Sequence, residues 1–96
     1  MFSQVHEFEW DRGNKDKNLK KHGVSNEEIE EAFFDVNKKI FTDVLHSGKE
    51  ERFKIAAKTQ KGRLLFVVFT LRGIKVRVIS ARDLNKKEVL LYEKSS

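Results

Sequence analysis

The sequence predicts a small α+β domain in which an antiparallel sheet packs against helices. Two segments show apolar residues at helical spacing behind capping signals, and from Lys39 onward the pattern alternates with a period of two. No repeat, linker or low-complexity tract divides the 96 residues, so residues 1–96 are predicted to form one domain. The predicted order is β-α-α-β-β-β-β-α, with the last strands forming a meander and the helices packed on one face.

The first half of the chain is predicted to hold one strand and two helices. "HEFEWD" alternates Phe8 and Trp10 with acidic residues, as a half-buried strand does. "RGNKDKNLKKHG" indicates a short surface helix that ends at Gly23, a natural left-handed cap. "VSNEEIEEAFFDV" begins at Ser25, and Glu28 completes a capping box. The apolar face of this second helix is predicted to comprise Ile29, Ala32, Phe33 and Val36.

The second half is predicted to be a meander closed by a helix. "KIFTDV" is a strand, "LHSGKE" a loop, and "ERFKIAAKT" a strand with one polar face. "RLLFVVFTL" is apolar on both faces and is therefore expected at the centre of the sheet, followed by "IKVRVISAR". In "DLNKKEVLLYEK", Asn85 and Glu88 repeat the capping pattern, and Val89, Leu90 and Tyr92 are expected to pack the helix down.

Composition limits the classes of function. The chain has no cysteine, which excludes disulfides and thiolate metal sites, and it shows no signal peptide or membrane span, so a cytoplasmic location is expected. Twenty Lys and Arg against fifteen Asp and Glu give a net charge of +5. A basic surface attracts phosphates or an acidic protein partner.

The common catalytic motifs are absent. The three histidines are scattered, the glycines stand singly, and no nucleophile elbow is present, so neither a metal nor a cofactor is expected. What remains is a set of charged residues at strand and helix ends, each of which also has an ordinary structural interpretation. RNA cleavage needs little more, because the 2′-hydroxyl is the nucleophile and the protein has to stabilise the phosphorane charge and transfer protons.

The stretch "IKVRVISARD" poses a geometric question. Arg77 and Arg82 are five residues apart, so strict alternation places them on opposite faces of a strand. They share a site only if a bulge or the end of the strand redirects Arg82, and "SAR" before "DLN" is where we expect this. In the alternative interpretation, one arginine faces solvent and the other contacts a helix.

Several blocks of the sequence, from about Phe8 to Glu93, resemble a known family: "FEWD", "NLKKHGVS", "EEIEEAFFD", "EERF", "GRLLFVVFTLRG" and "VRVISARDLNKKEVLLYE". Together they are similar to the BrnT toxins of bacterial BrnT–BrnA type II toxin–antitoxin systems. The resemblance implies a RelE-like fold and a metal-independent endoribonuclease that inhibits translation. It also implies a cognate BrnA-like antitoxin, which neutralises the toxin and supplies the contacts to operator DNA.

Carried over by motif, the resemblance also suggests site residues. Arg77 and Arg82 would stabilise the transition state, and proton transfer would fall to Glu51 or His22. RNA binding would involve Lys21, Arg52 and Arg63. The alternative function is a non-catalytic basic module that binds nucleic acid or the antitoxin.

Overall fold

A computed structural model describes residues 7–42 and 50–94 of the chain. The predicted element order is confirmed. The elements are β1 (Glu7–Phe8), α1 (Lys17–His22), α2 (Asn26–Phe33), β2 (Lys39–Thr42), β3 (Arg52–Lys58), β4 (Leu64–Arg72), β5 (Lys75–Asp83) and α3 (Lys86–Lys94). The predicted loop "LHSGKE" lies outside the described residues except for its last residue, Glu50.

The strands form one sheet in the order β1-β5-β4-β3-β2. Strands β3 to β5 are the predicted antiparallel meander, and β2 adds a further antiparallel strand beside β3. Strand β4 lies at the centre of the sheet, as its two apolar faces indicate. Strand β1 adds a parallel edge to the sheet by pairing Glu7 with Lys75 and Phe8 with Val76. Because two helices separate β1 from the meander, no hairpin forces it to pair in the antiparallel sense.

The predicted helix caps are present. Gly23 closes α1 with a φ of 67°. At the start of α2, the Glu28 backbone N–H donates to Ser25 Oγ at 3.1 Å, and the Ser25 N–H donates to Glu28 Oε1 at 3.0 Å. Asn85 and Glu88 make the equivalent pair of bonds at 2.9 Å before α3. Local sequence therefore determines where all three helices begin or end.

The two faces of the sheet have different roles. The inner face packs against α1 and α2 and forms the core, in which Phe69 is fully buried between Phe33 and Phe53 at ring-centroid distances of 4.9 and 5.6 Å. The outer face is defined by the residues that alternate with the core positions: Arg52, Lys54, Ala56, Lys58, Phe66, Val68, Thr70, Arg77, Ser80 and Arg82. Within the described ranges 7–42 and 50–94, no helix is long and apolar enough to cross a bilayer.

Helix α2 is shorter than predicted. It ends at Phe33, and Val36 is 92% exposed, so the expectation that Val36 belongs to its apolar face is wrong. The Asp35 carboxylate explains the early end, because it accepts hydrogen bonds from the backbone N–H groups of Asn37 and Lys58 at 2.9 and 2.8 Å. These bonds hold the chain in a turn instead of a further helical turn.

Helix α3 packs differently from α1 and α2. The sequence predicts all helices on one face, whereas Tyr92 of α3 lies beside an outer-face residue, with Lys58 Nζ 5.8 Å from its ring centroid. Leu90, expected to pack the helix down, is 66% exposed, so that expectation is wrong. Tyr92 is buried, and its hydroxyl donates to Asp35 Oδ2 at 2.6 Å.

The Tyr92–Asp35 contact shifts both ionisations. Burial, and then the hydrogen bond to Asp35, raise the pKa of Tyr92 to about 12. Burial alone would raise the pKa of Asp35, but hydrogen bonds from Tyr92 and from the backbone of Asn37 and Lys58 lower it. The folded state thus favours a protonated phenol beside an ionised carboxylate. The phenol's contribution to stability is complete below its unfolded pKa of about 10 and is lost as the pH rises through about 12.

The single tyrosine makes this contact directly measurable. We expect phenolate absorbance of the folded chain to rise with a midpoint near pH 12, compared with about 10 in urea. Asp35→Asn should lower the folded midpoint, whereas Glu27→Gln, an exposed change elsewhere on α2, should leave it in place. A midpoint near 10 in samples that circular dichroism shows to be folded would contradict the contact.

Candidate functional site

The geometric question posed by Arg77 and Arg82 is answered by a β-bulge in β5. Val68 of β4 pairs with Ser80, but the next residue, Phe69, pairs with Val78. Ile79 is therefore an extra residue in β5, located just before the predicted "SAR" position. With the bulge, both arginines share the outer face, because one additional residue reverses the alternation between them.

Strand pairing aligns the outer-face residues in rows across β3, β4 and β5. One row is Arg52–Thr70–Arg77, the next is Lys54–Val68–Ser80, and the third is Ala56–Phe66–Arg82. The first and third rows are four residues of β4 apart, which is about 13 Å along the strand. Three of the predicted site residues, Arg52, Arg77 and Arg82, therefore lie on one surface.

This surface contains an open concavity of about 270 Å³. Its apolar part includes Phe66, and the Arg82 guanidinium carbon and Lys54 Nζ lie 4.7 and 5.9 Å from the centroid of that ring. The lining residues are Arg52, Lys54, Phe66, Val68, Ile79, Ser80 and Arg82. Sequence reasoning missed Lys54, although alternation in "ERFKIAAKT" already places it two residues from Arg52 on the same face.

Arg77 is held by carboxylates from the segment after β1. Its Nη1 donates to Asp11 Oδ2 at 2.6 Å and to Glu9 Oε2 at 3.0 Å, and its side chain is 19% exposed. The hydrogen bond from Arg77, and then that from the Gly13 backbone, lower the pKa of Asp11. These contacts fix the plane of the guanidinium on the outer face.

Arg82 is held in a similar way from α3. Its Nη1 and Nη2 donate to the two oxygens of Glu88 at 2.7 and 2.8 Å, and Nη1 also donates to the Asp83 carbonyl at 3.1 Å. The Arg82 hydrogen bond is the main cause of the lowered pKa of Glu88. The Arg82 side chain remains 38% exposed, so part of it is accessible to a ligand.

Thr70 lies between two of the arginines in the first row. Thr70 is 4% exposed, and its hydroxyl oxygen has no hydrogen-bond partner within the part of the chain that the structure describes. Buried hydroxyls in proteins are normally hydrogen-bonded. The Thr70 hydroxyl can therefore still make a hydrogen bond in the row Arg52–Thr70–Arg77.

The other predicted site residues lie elsewhere. Arg63 joins the end of α1 to the end of β5: its Nε donates to Asp83 Oδ1 at 2.7 Å and its Nη1 to the Gly23 carbonyl at 2.8 Å. The same guanidinium contacts Glu28 at 3.2 Å and the His22 carbonyl at 3.4 Å. The hydrogen bond with Asp83 is the main cause of the raised pKa of Arg63.

Lys21 and His22 are exposed residues in the last turn of α1, and the His22 carbonyl accepts a hydrogen bond from Arg63. Glu51 is exposed and directly precedes β3, next to Arg52. The structure thus divides the predicted site residues into an outer-face group, with Glu51 adjacent to it, and a second group at the end of α1. In residues 7–42 and 50–94, no three His, Cys, Asp or Glu side chains are grouped so as to hold a metal ion.

Comparison with known proteins identifies the family. Residues 10–88 match the family model described as ribonuclease toxin, BrnT, of type II toxin–antitoxin system. The matched range includes every predicted site residue, the bulge in β5 and Glu88. A search of curated proteins finds no match. Because the family model covers most of the chain, including both groups of site residues, the chain belongs to the BrnT family of ribonuclease toxins.

Proposed function

We propose that this chain is an endoribonuclease toxin that cleaves RNA on the outer face of its sheet without a metal ion. Membership of the family supports the ribonuclease activity and an antitoxin partner. The observation that carries the location of the site is the alignment of Arg52, Arg77 and Arg82 on one surface, next to the concavity. Cleavage of RNA in the cytoplasm would inhibit translation.

The proposed reaction is internal transesterification. The 2′-oxygen of one nucleotide forms a bond to the adjacent phosphorus as its proton leaves, and the bond from phosphorus to O5′ breaks as O5′ receives a proton. The products are a 2′,3′-cyclic phosphate and a 5′-hydroxyl. Negative charge accumulates on the phosphorane oxygens in the transition state, and fixed guanidinium donors stabilise that charge.

Arg77 and Arg82 are the proposed stabilisers of that charge. Each guanidinium has five N–H donors, and the carboxylates of Asp11, Glu9 and Glu88 occupy only some of them. A phosphate can therefore bind through the other donors or exchange with a carboxylate.

Arg52 and Lys54 would bind the RNA backbone near the scissile phosphate. Phe66 and Val68 provide an apolar floor against which an unpaired base can lie. The substrate of this surface is accordingly single-stranded RNA.

Glu51 is the better placed of the two predicted proton-transfer residues. It adjoins Arg52 at the end of the sheet where Arg77 lies, whereas His22 belongs to the second group. In the proposed assignment Arg63 is structural, because its guanidinium is engaged by Asp83, Glu28 and backbone carbonyls. RNA binding by Lys21 and Arg63 stays a prediction.

Removing either arginine should slow cleavage. We expect Arg77→Ala and Arg82→Ala each to lower the single-turnover rate on a single-stranded RNA oligonucleotide by about 10²–10³-fold, as the loss of one oxyanion donor does. Lysine at these positions should restore the rate only partly, because an ammonium group cannot make two parallel bonds. Lys20→Ala removes one positive charge from an exposed position on α1 and should have no effect.

Arg77 and Arg82 also hold carboxylates, so the rates should be compared at a temperature at which circular dichroism shows every variant to be folded. If both alanine variants cleave RNA at the wild-type rate, the proposed site is wrong. If both bind RNA like the wild type and the wild type itself does not cleave, the chain is a non-catalytic binding module. The carboxylates already bound to the two arginines are the observation that favours this second candidate.

The nature of the nucleophile gives an independent test. We expect a substrate carrying a single 2′-deoxy nucleotide at the cleaved position to resist cleavage, because the attacking oxygen is then missing. The same substrate with 2′-deoxy substitution several nucleotides away is the control. Cleavage should continue in EDTA, and mass spectrometry should find the cyclic phosphate. Products with a 5′-phosphate, or loss of activity in EDTA that added divalent metal restores, would contradict the proposal.

The proposed antitoxin would cover the outer face. Such a BrnA-like partner should carry acidic and apolar residues, because complementary charge speeds association with the basic surface and buried apolar area adds affinity. It would also provide the contacts of the complex with operator DNA. We expect expression of the chain alone to arrest bacterial growth and to lower incorporation of labelled amino acids, and co-expression of the antitoxin to restore both. Cells that express Arg82→Ala without the antitoxin should grow. If this variant arrests growth as the wild type does, toxicity does not depend on the outer face.

A further inference from the structure

We propose that Asn14, Lys17 and Asn18, here called the bulge clamp, are positioning residues that hold the extra residue of β5 in place. By doing so they keep Arg77 and Arg82 on the same face of the sheet. The clamp residues lie in the segment before α1 and in α1 itself, and all three contact the backbone of β5. The test of the clamp by kcat rests on the proposed ribonuclease function, whereas its test by NMR spectra of the Arg82 side chain does not.

The clamp contacts bracket the bulge on the free edge of β5. They are Asn14 Nδ2 to the Val78 carbonyl at 3.3 Å, Lys17 Nζ to the Ile79 carbonyl at 3.0 Å, and the Ala81 N–H to Asn18 Oδ1 at 3.0 Å. Three side chains spaced along the chain thus bind three backbone groups that lie at the extra residue or within two residues of it. Side chains supply here the hydrogen bonds that a neighbouring strand would otherwise make.

The clamp is needed because β1 is too short to cover this edge. Strand β1 pairs only with Lys75 and Val76, and the last backbone bond of this edge runs from the Glu9 N–H to the Val76 carbonyl at 2.8 Å. Asn14 and Asn18 are 4% and 3% exposed, so water has little access to their contacts. A buried backbone group without a partner is costly, which makes the two asparagines specific requirements of the bulged conformation.

Asn14 also connects the bulge to the partners of Arg77. Its Nδ2 donates to the Glu9 carbonyl and its Oδ1 accepts from the Asp11 N–H, both at 2.8 Å. Glu9 and Asp11 are the residues whose carboxylates hold the Arg77 guanidinium. One buried side chain therefore fixes both the bulge that determines the face of Arg77 and the loop that determines its orientation.

Loss of the clamp should affect catalysis more than RNA binding. A regular strand without the bulge would turn Arg82 toward the core, where an unpaired guanidinium is costly. The bulge should therefore persist in a loosened form instead of disappearing. RNA binding is spread over several cations and tolerates such loosening. Stabilisation of one phosphorane by two arginines does not tolerate this loosening, because a misplacement of about 1 Å can cost about 10²-fold in rate.

The experiment compares alanine and aspartate variants of the two asparagines. We expect Asn14→Ala and Asn18→Ala to lower kcat by about 10–10²-fold with KM changed much less. Asn18→Asp keeps the oxygen that accepts from Ala81 and should retain more activity than Asn18→Ala. Asn14→Asp removes the donor for two carbonyls, so its kcat should be no higher than that of Asn14→Ala. Ile29→Ala, which removes core packing from α2 and changes none of the clamp's hydrogen bonds, should keep kcat when it is folded.

A measurement without substrate keeps the clamp testable if an alanine variant does not fold or if the wild type does not cleave RNA. The Arg82 guanidinium stacks 4.7 Å from the Phe66 centroid, so ring currents should shift the proton resonances of the Arg82 side chain in NMR spectra. This shift should decrease in Asn14→Asp and in Lys17→Met, an exposed clamp position, and should persist in Ile29→Ala. Wild-type kcat and unchanged Arg82 resonances in the clamp variants would overturn the clamp even if the ribonuclease activity is confirmed. Absence of cleavage by the wild type overturns the proposed function alone.

Discussion

The arrangement of the basic surface depends on one extra residue in β5. Without the bulge at Ile79, the alternation of a regular strand would send Arg77 and Arg82 to opposite faces, and one of them would enter the core. With it, Val76, Val78 and Ala81 all remain on the inner face and fully or almost fully buried. The bulge thus allows a single strand to complete the hydrophobic core and to present two arginines on the other side.

A second constraint is that Arg77 and Arg82 on the outer face are held by carboxylates of the chain itself. Arg77 is held from the segment after β1, and Arg82 is held from α3. These ion pairs orient the guanidinium groups before any ligand arrives, which reduces the entropy that binding costs. They also mean that a phosphate, or an acidic side chain of a partner, competes with Asp11, Glu9 or Glu88 for the same donors.

Local signals predicted most of the fold, whereas the decisive feature of the site is not local. Capping residues and period-two alternation identified the helices, the meander and the central strand, because each signal lies within the element it defines. The sequence showed that a bulge was required if Arg77 and Arg82 were to act together. It could not show that the bulge forms, because the groups that hold it, Asn14 and Asn18, are more than sixty residues away along the chain.

The same limit applies to the roles of individual arginines. The family motifs assign both Arg63 and Arg82 to the RNA site, Arg63 for binding RNA and Arg82 for stabilising the transition state, but their surroundings differ. Arg63 donates to carboxylates and carbonyls at the end of α1 and at Asp83, and so it ties three elements together. Arg82 donates to one carboxylate and one carbonyl, and it stacks on Phe66 at the edge of an open concavity. Since a guanidinium can stabilise an incoming charge only with donors that are unoccupied or that it can release, the outer-face arginine is the one suited to a phosphate.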